Sequence, residues 1–197
     1  MAREVVTLYT LFIDTHDKNV LIILFKDGKI ISKENLETKN KHSEVALPTI
    51  ANILDKSDVD VSELGSIVVV NGPGSFTGVR IAVTIAKTIS YALSIPIRTI
   101  DALTILSLSV DGERKVVSLE DRNGAFVGVF DSNSNVIEPL QYMSKTVYNE
   151  FKLNNEVHSN LEINYEEVYQ YVMNLKELNP HEVKPLYIKE ISAKDGK

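Results

Sequence analysis

Residues 67–80 read IVVVNGPGSFTGVR, an apolar β-branched run that halts at Asn71-Gly72-Pro73-Gly74 and resumes after Gly78 as a helical pattern reaching Leu93. A run of this kind lies at the centre of a sheet with both faces covered. The chain must therefore pass from a buried strand, through a tight loop, into a long helix. Gly72, Gly74 and Gly78 open backbone conformations closed to other residues and let a helix N-terminus, or a ligand, approach closely. Two readings follow: a phosphate cradle, or a strand-to-helix turn that binds nothing.

The flanking segments fix the fold class. Val5 to Ile13 and Val20 to Phe25 read as strands, Asp27-Gly28 marks a two-residue hairpin, and Ile30 to Leu36 forms the returning third strand. Leu47, Ile50, Ala51 and Leu54 follow at helical spacing, with His42-Ser43 at the cap position and Pro48 either kinking the helix or in its first turn. Ser66 to Val70, Phe76 to Leu93, Ile97 to Ile100 and a short helix from an Asp101 cap to Leu108 complete the series. Three meandering strands followed by helix, strand, helix, strand and helix give an α/β fold. It is that of the actin-like ATPase (ribonuclease H-like) core, with a mixed central sheet.

After Val110-Asp111-Gly112 the pattern changes to short strands at Val116 to Leu119, Ala125 to Phe130 and Val136 to Tyr142. We expect an N-terminal domain over 1–104 and a smaller, reduced α/β domain over 105–197, with the C-terminal tail free to pack back on the first. Tyr165, Val168, Tyr169, Val172 and Met173 form a core-facing helical stripe, and Asn154 to Asn160 reads as a loop.

The 197 residues include 44% hydrophobic side chains, no cysteine and a formal net charge of -6. Absence of cysteine rules out a disulfide framework, a thiolate metal site and a cysteine nucleophile, and fits a reducing, cytoplasmic setting. No signal peptide or membrane-length segment is read from the chain. The acidic balance without a basic run argues against a direct grip on a phosphate backbone.

Templates for chemistry fail one after another. A P-loop needs lysine after its last glycine, where Val79-Arg80 stand. The glycine spacing is G-x-G-x-x-x-G rather than the dinucleotide fingerprint, although Asp101 mimics the ribose-binding acid. An esterase elbow around Ser75 would need glycines at Pro73 and Thr77. Asp14 suits the first carboxylate of a two-metal nuclease, but the fourth strand ends in Asn71-Gly72. Asp131 to Asn135 resembles a calcium loop whose required glycine is Val136 and whose closing glutamate is Tyr142, so it reads as a hairpin turn. His16, His42, His158 and His181 lack metal-ligand spacing and are read as surface or loop residues. Asp14-Thr15 could hold a nucleotide phosphate in an actin-like fold, or Asp14 could cap a turn; His16-Asp17 places bulk and negative charge there.

Asn71-Gly-Pro-Gly-Ser-Phe-Thr-Gly-Val-Arg-Ile81, Ile13-Asp14-Thr15 and His42-Ser-Glu-Val-Ala-Leu-Pro48 resemble the TsaB (YeaZ) family of tRNA threonylcarbamoyladenosine biosynthesis. The resemblance is strongest over residues 8–104 and returns at Pro185-Leu-Tyr-Ile-Lys189. It implies a shrunken actin-like ATPase that serves as the non-catalytic partner of TsaD, which transfers the threonylcarbamoyl group to adenosine 37 of tRNA. It further implies a TsaE-like ATPase in the same complex, tRNA contacted only indirectly, no membrane and no metal. ATP or ADP at the complex interface is the one cofactor it leaves open, through Asp14, Thr15, Gly72, Gly74 and Ser75.

This chain departs from that family at Asp14-Thr-His-Asp17, where Asp-Thr-Ser-Thr is usual, and at Glu120-Asp-Arg122-Asn-Gly124-Ala-Phe-Val127, where only the arginine and glycine are kept. Its second domain is also short. Ala46 takes the place of the second histidine in the His-x-x-x-His of TsaD-type enzymes. Ala82, Ala86 and Ser90 form a stripe of small residues, flanked by Val79 and Val83, that packs either on the protein's own sheet or on another helix. The resemblance implies the latter, with Leu47, Ile50, Leu54, Val79, Ala82, Val83, Ala86 and Ser90 at the surface against TsaD. Two other classes remain open: a small metal-dependent hydrolase (nuclease or glycoprotease-like peptidase) and a nucleotide-binding regulatory homodimer.

Overall fold

The computed structural model describes residues 9–38 and 41–188. The expected start of the first strand, Val5 to Leu8, and Lys189 lie outside them. Two compact units are present: one holds the described residues up to Ile100 together with Tyr165–Pro185, the other Asp101–Asn164 with residues 186–188.

In the first unit, β1 (Tyr9–Asp14), β2 (Asn19–Lys26), β3 (Lys29–Glu37), β4 (Leu64–Val70) and β5 (Ile97–Ile100) form one mixed sheet in the order β3-β2-β1-β4-β5. The β1–β2 and β2–β3 pairs are antiparallel, while β1–β4 and β4–β5 are parallel. This is the actin-like arrangement expected from the element order. The β2–β3 turn is set by Asp27 and Gly28, at φ +48° and +82°, the backbone that a two-residue hairpin between twisted strands requires.

Alternation along β1 sorts the core into two faces. Leu11 and Ile13 join Ile22, Leu24, Ile67 and Val69 under α1 (His42–Lys56) and α2 (Phe76–Leu93). Phe12 and Phe25 point the other way, where a returning helix over Tyr165–Met173 covers them. The ring of Tyr165 meets Phe12 edge-on at 5.6 Å, and Tyr169 packs on Phe25 at 4.9 Å. Both faces of the central strands are thus buried, which is why they read as unbroken apolar runs.

The chain after that helix runs along the outer edge of β5. The Leu178 N–H donates to the Ile97 carbonyl at 2.9 Å, and the Arg98 guanidinium bonds the Leu175 carbonyl at 3.1 Å and Glu177 at 2.7 Å. Val183 then joins the core under α1 and α2. The sequence-based second domain began at residue 105 and ran on to the end. The division instead falls after Ile100, because Asp101 caps the next helix, and Tyr165–Pro185 belongs with the first unit.

The second unit is a three-stranded antiparallel sheet, β6 (Arg114–Glu120), β7 (Gly124–Asp131) and β8 (Val136–Ser144). Against it lie α3 (Ala102–Ser107) and α4 (Lys145–Asn154); the returning helix Tyr165–Met173 is α5. Leu103 and Leu106 of α3 cluster with Val117, Phe126 and Phe130, while Tyr148 of α4 clusters with Val116, Ala125, Val127 and Val129. The α4 helix is absent from the sequence reading: Tyr148 and Phe151 are its inward residues, too few for a periodic signal. The segment read as a loop after it pairs once with β6, the Ser118 N–H donating to the His158 carbonyl and the His158 N–H to that of Val116, both at 2.9 Å. Asp131 closes the β7–β8 turn by accepting from the Asn133 and Asn135 N–H groups at 2.9 and 2.8 Å, a hairpin rather than a calcium loop. Among the described residues, no helix is long and apolar enough to cross a membrane.

Candidate functional site

The parallel β1–β4 pairing brings the turn after Asp14 beside the glycine loop after Val70. Two hydrogen bonds lock them together. The Ser75 N–H donates to the His16 carbonyl at 2.6 Å, and the Thr15 hydroxyl donates to the Gly78 carbonyl at 2.6 Å. A Cβ on Gly74 would collide with the His16 carbonyl, and one on Gly78 with the Thr15 carbonyl. The two glycines are needed for this backbone-to-backbone approach. Gly72, at φ +115°, turns the chain out of β4. Ser75 caps α2, its hydroxyl accepting from the Gly78 N–H at 3.2 Å.

Asp14, Thr15, Gly72, Gly74 and Ser75 lie on these two adjoining segments, where the Thr15 hydroxyl, the Ser75 N–H and hydroxyl and Asp14 Oδ1 are engaged in local hydrogen bonds. Asp14 is buried, and its Oδ1 accepts from the His16 backbone N–H at 2.9 Å and lies 2.7 Å from His16 Nδ1. At the end of β4 the Asn71 amide donates to the Lys184 carbonyl at 3.3 Å. Among the described residues, no group of three His, Asp or Glu side chains is placed to hold a metal ion.

One histidine corrects the sequence reading. His42 is not a surface residue: it opens α1 at 5% exposure, with Nε2 2.8 Å from the Asp17 carbonyl and Nδ1 3.3 Å from the Thr38 hydroxyl. His16 retains 18% side-chain exposure beside Asp14. Burial is the largest influence on its imidazole and pulls the pKa down, but the charge and hydrogen bond of Asp14, with the charge of Asp17, outweigh it, so the pKa is raised. Tyr165 lies in the same electrostatic neighbourhood. Burial, then the Asp14 and Asp17 charges, push its phenol above the ordinary range and keep it protonated. Only the position of His42 at a helix start hinted at its role; the spacing of these groups in sequence carries no sign of the cluster.

The expected partner-facing residues divide sharply. Leu47 is exposed at 54%, whereas Ile50, Leu54, Val79, Ala82, Val83, Ala86 and Ser90 are all at or below 7%. These seven pack inside the chain's own first unit, and Ser90 donates to the Ile95 carbonyl at 2.6 Å. The small-residue stripe lets α2 lie close on the sheet. Helical periodicity grouped these residues on one face, and the resemblance, not the periodicity, turned that face toward a partner; it is buried within the chain itself. The outward row of α2 is instead Arg80, Thr84, Thr88 and Tyr91, and Leu47, Pro48 and Ala51 are the exposed positions of α1 in the same region of sequence as the expected contact.

Comparison with known proteins agrees with this fold and loop. The sequence model of the family described as "TsaD: tRNA N6-adenosine threonylcarbamoyltransferase" matches residues 30–131, just over half of the chain. The Bacillus subtilis tRNA threonylcarbamoyladenosine biosynthesis protein TsaB is 33% identical over 133 residues, which cover 66% of this chain and 58% of that one. Its Escherichia coli counterpart is 30% identical over 105 residues, covering 53% and 44%. The solved structure of YeaZ from Pseudomonas aeruginosa superimposes with a TM-score of 0.76 at 18% identity, over 91% of this chain and 99% of that one. The chain belongs to the family of that sequence model, and among the proteins compared it is similar in sequence to TsaB and in fold to YeaZ. It spans 58% of the length of the Bacillus subtilis relative.

Gly78→Ala tests the lock directly. Alanine would ordinarily add about 1 kcal/mol of helix propensity, but here its Cβ meets the Thr15 carbonyl. A net loss of at least about 2 kcal/mol is expected in urea unfolding, and a neutral or stabilised variant would refute the close approach. The His16–Asp14 pair also sets a pH dependence. Because the folded-state pKa of His16 is raised, its contribution is fully present below the unfolded value of about 6.5 and is lost as pH rises through the folded value. The stability difference between the wild type and Asp14→Asn should shrink as pH rises above the unfolded value of about 6.5; a constant difference would show that the pair does not titrate.

Proposed function

We propose that this chain is a non-catalytic subunit of a cytoplasmic assembly, docking on a TsaD-like partner that transfers the threonylcarbamoyl group to adenosine in tRNA. The observation that carries this reading is the self-satisfied turn. The Thr15 hydroxyl and the Ser75 N–H, which could meet a phosphate, instead hold the glycine loop against the Asp14–His16 turn, and Asp14 Oδ1 is engaged by His16. What the first unit offers outward is a pair of helix faces, with Leu47 at 54% and Tyr91 at 67% exposure. A formal charge of -6 suits contact with a protein partner, which would hold the tRNA. The same faces are available to pair two copies when the partner is absent, and a TsaE-like ATPase would join the assembled pair.

Docking is tested by titrating the cognate TsaD-like protein into this chain. Saturable binding is expected, along with dependence of tRNA modification on the chain. Leu47→Asp should weaken binding at least about ten-fold without changing the circular dichroism, since a charge would enter the centre of a desolvated patch. No binding by the wild type would overturn the reading; unaltered binding by Leu47→Asp would move the contact elsewhere.

The spent donors also support a chain that works without nucleotide in its own turn. Calorimetric titration of the free chain with ATP and with ADP should show no saturable heat. A stoichiometric isotherm abolished by Thr15→Val would restore the nucleotide-binding alternative.

A further inference from the structure

We propose that the turn Thr15–Lys18 is a positioning device that holds the two partner-facing helices at one fixed separation, with Thr15 and His42 as the positioning residues. This rests on the docking reading above and adds a means by which the four residues of one turn would control it.

Both helix N-termini are tied to this one turn. On the α2 side, the Thr15 hydroxyl and the His16 carbonyl bind Gly78 and Ser75, both at 2.6 Å. On the α1 side, the Asp17 carbonyl lies 2.8 Å from His42 Nε2. The Lys18 carbonyl accepts from the Thr38 N–H at 3.2 Å and from its hydroxyl at 3.1 Å. Thr38 in turn accepts the Lys41 N–H at 2.9 Å, the residue that caps α1. Thr15, Thr38 and His42 are all buried, so water cannot readily replace the partners they would lose. The missing Cβ atoms at Gly74 and Gly78 leave no slack between loop and turn. Neither helix can shift along the sheet without breaking bonds to the same short segment, so the two shift together or not at all.

A rigid pair of faces binds without first having to be ordered. If the turn is loosened and the folded chain spends about a tenth of its time in the competent arrangement, affinity falls about ten-fold. The variants are Thr15→Val, which keeps shape and removes one hydroxyl, His42→Leu, and the rescue His42→Gln, which restores an N–H toward the Asp17 carbonyl. The chain has no cysteine, so Ala51→Cys and Thr88→Cys on the exposed faces can carry a spin-label pair in the free protein.

A single narrow distance distribution is expected for the otherwise wild-type chain, and broadened ones for Thr15→Val and His42→Leu. Both should bind the TsaD-like partner about ten-fold more weakly at a temperature where circular dichroism shows them fully folded, and His42→Gln should recover most of the loss. A residue that only stabilises the fold would lower the melting temperature and leave affinity and distances unchanged, which overturns the proposal. If His42→Leu does not fold, Thr15→Val alone decides by the same criteria. Wild-type binding with unaltered variants overturns this proposal and spares the docking reading; no wild-type binding overturns both.

Discussion

The meeting of Gly78 with the Thr15 carbonyl is the contact on which the first unit is organised. It fixes how far α2 sits from β1, and through Ser75 it fixes where that helix begins. Once α2 is pinned there, only small residues fit along its inner side, and Ala82, Ala86 and Ser90 occupy those positions. The order of cause runs from backbone proximity to side-chain size. Larger residues on that stripe would meet the sheet before any second protein.

This arrangement also explains why an actin-like fold can lack any visible chemistry at its first turn. Hydrogen-bonding capacity is finite, and a buried group satisfied by its own chain has little left for a ligand. Asp14, the residue with the strongest claim to a metal or phosphate role, is engaged twice by His16. The departure at His16-Asp17 from the small residues usual in the family is thus structural in effect: the imidazole gives the carboxylate a resident partner.

Much of the first unit was legible in the sequence because its signals are local. Asp27-Gly28 dictates a hairpin, and an unbroken apolar run a strand covered on both faces. Three things were not legible, each for a physical reason. Periodicity shows which residues of α2 share a face but not what lies against it, and the family resemblance turned Ala82 and its neighbours outward. A polar residue such as His42 is buried only when distant carbonyls happen to receive it, and Asp17 is 25 positions away. The stripe from Tyr165 to Met173 announced a core without saying whose core, and it serves the unit that the chain had left at Ile100.

The return of α5 has a consequence for how the chain comes off the ribosome. All five strands of the first sheet are synthesised by residue 100, yet Phe12 and Phe25 have no cover until Tyr165 and Tyr169 emerge, and the β5 edge stays open until Leu178 follows. During that interval a nascent sheet carries an uncovered aromatic face and an open strand edge, the features that invite chaperones or wrong neighbours. The intervening unit, Asp101–Asn164, acts in this sense as a timer, setting how long the first half of the protein must wait for its own last piece.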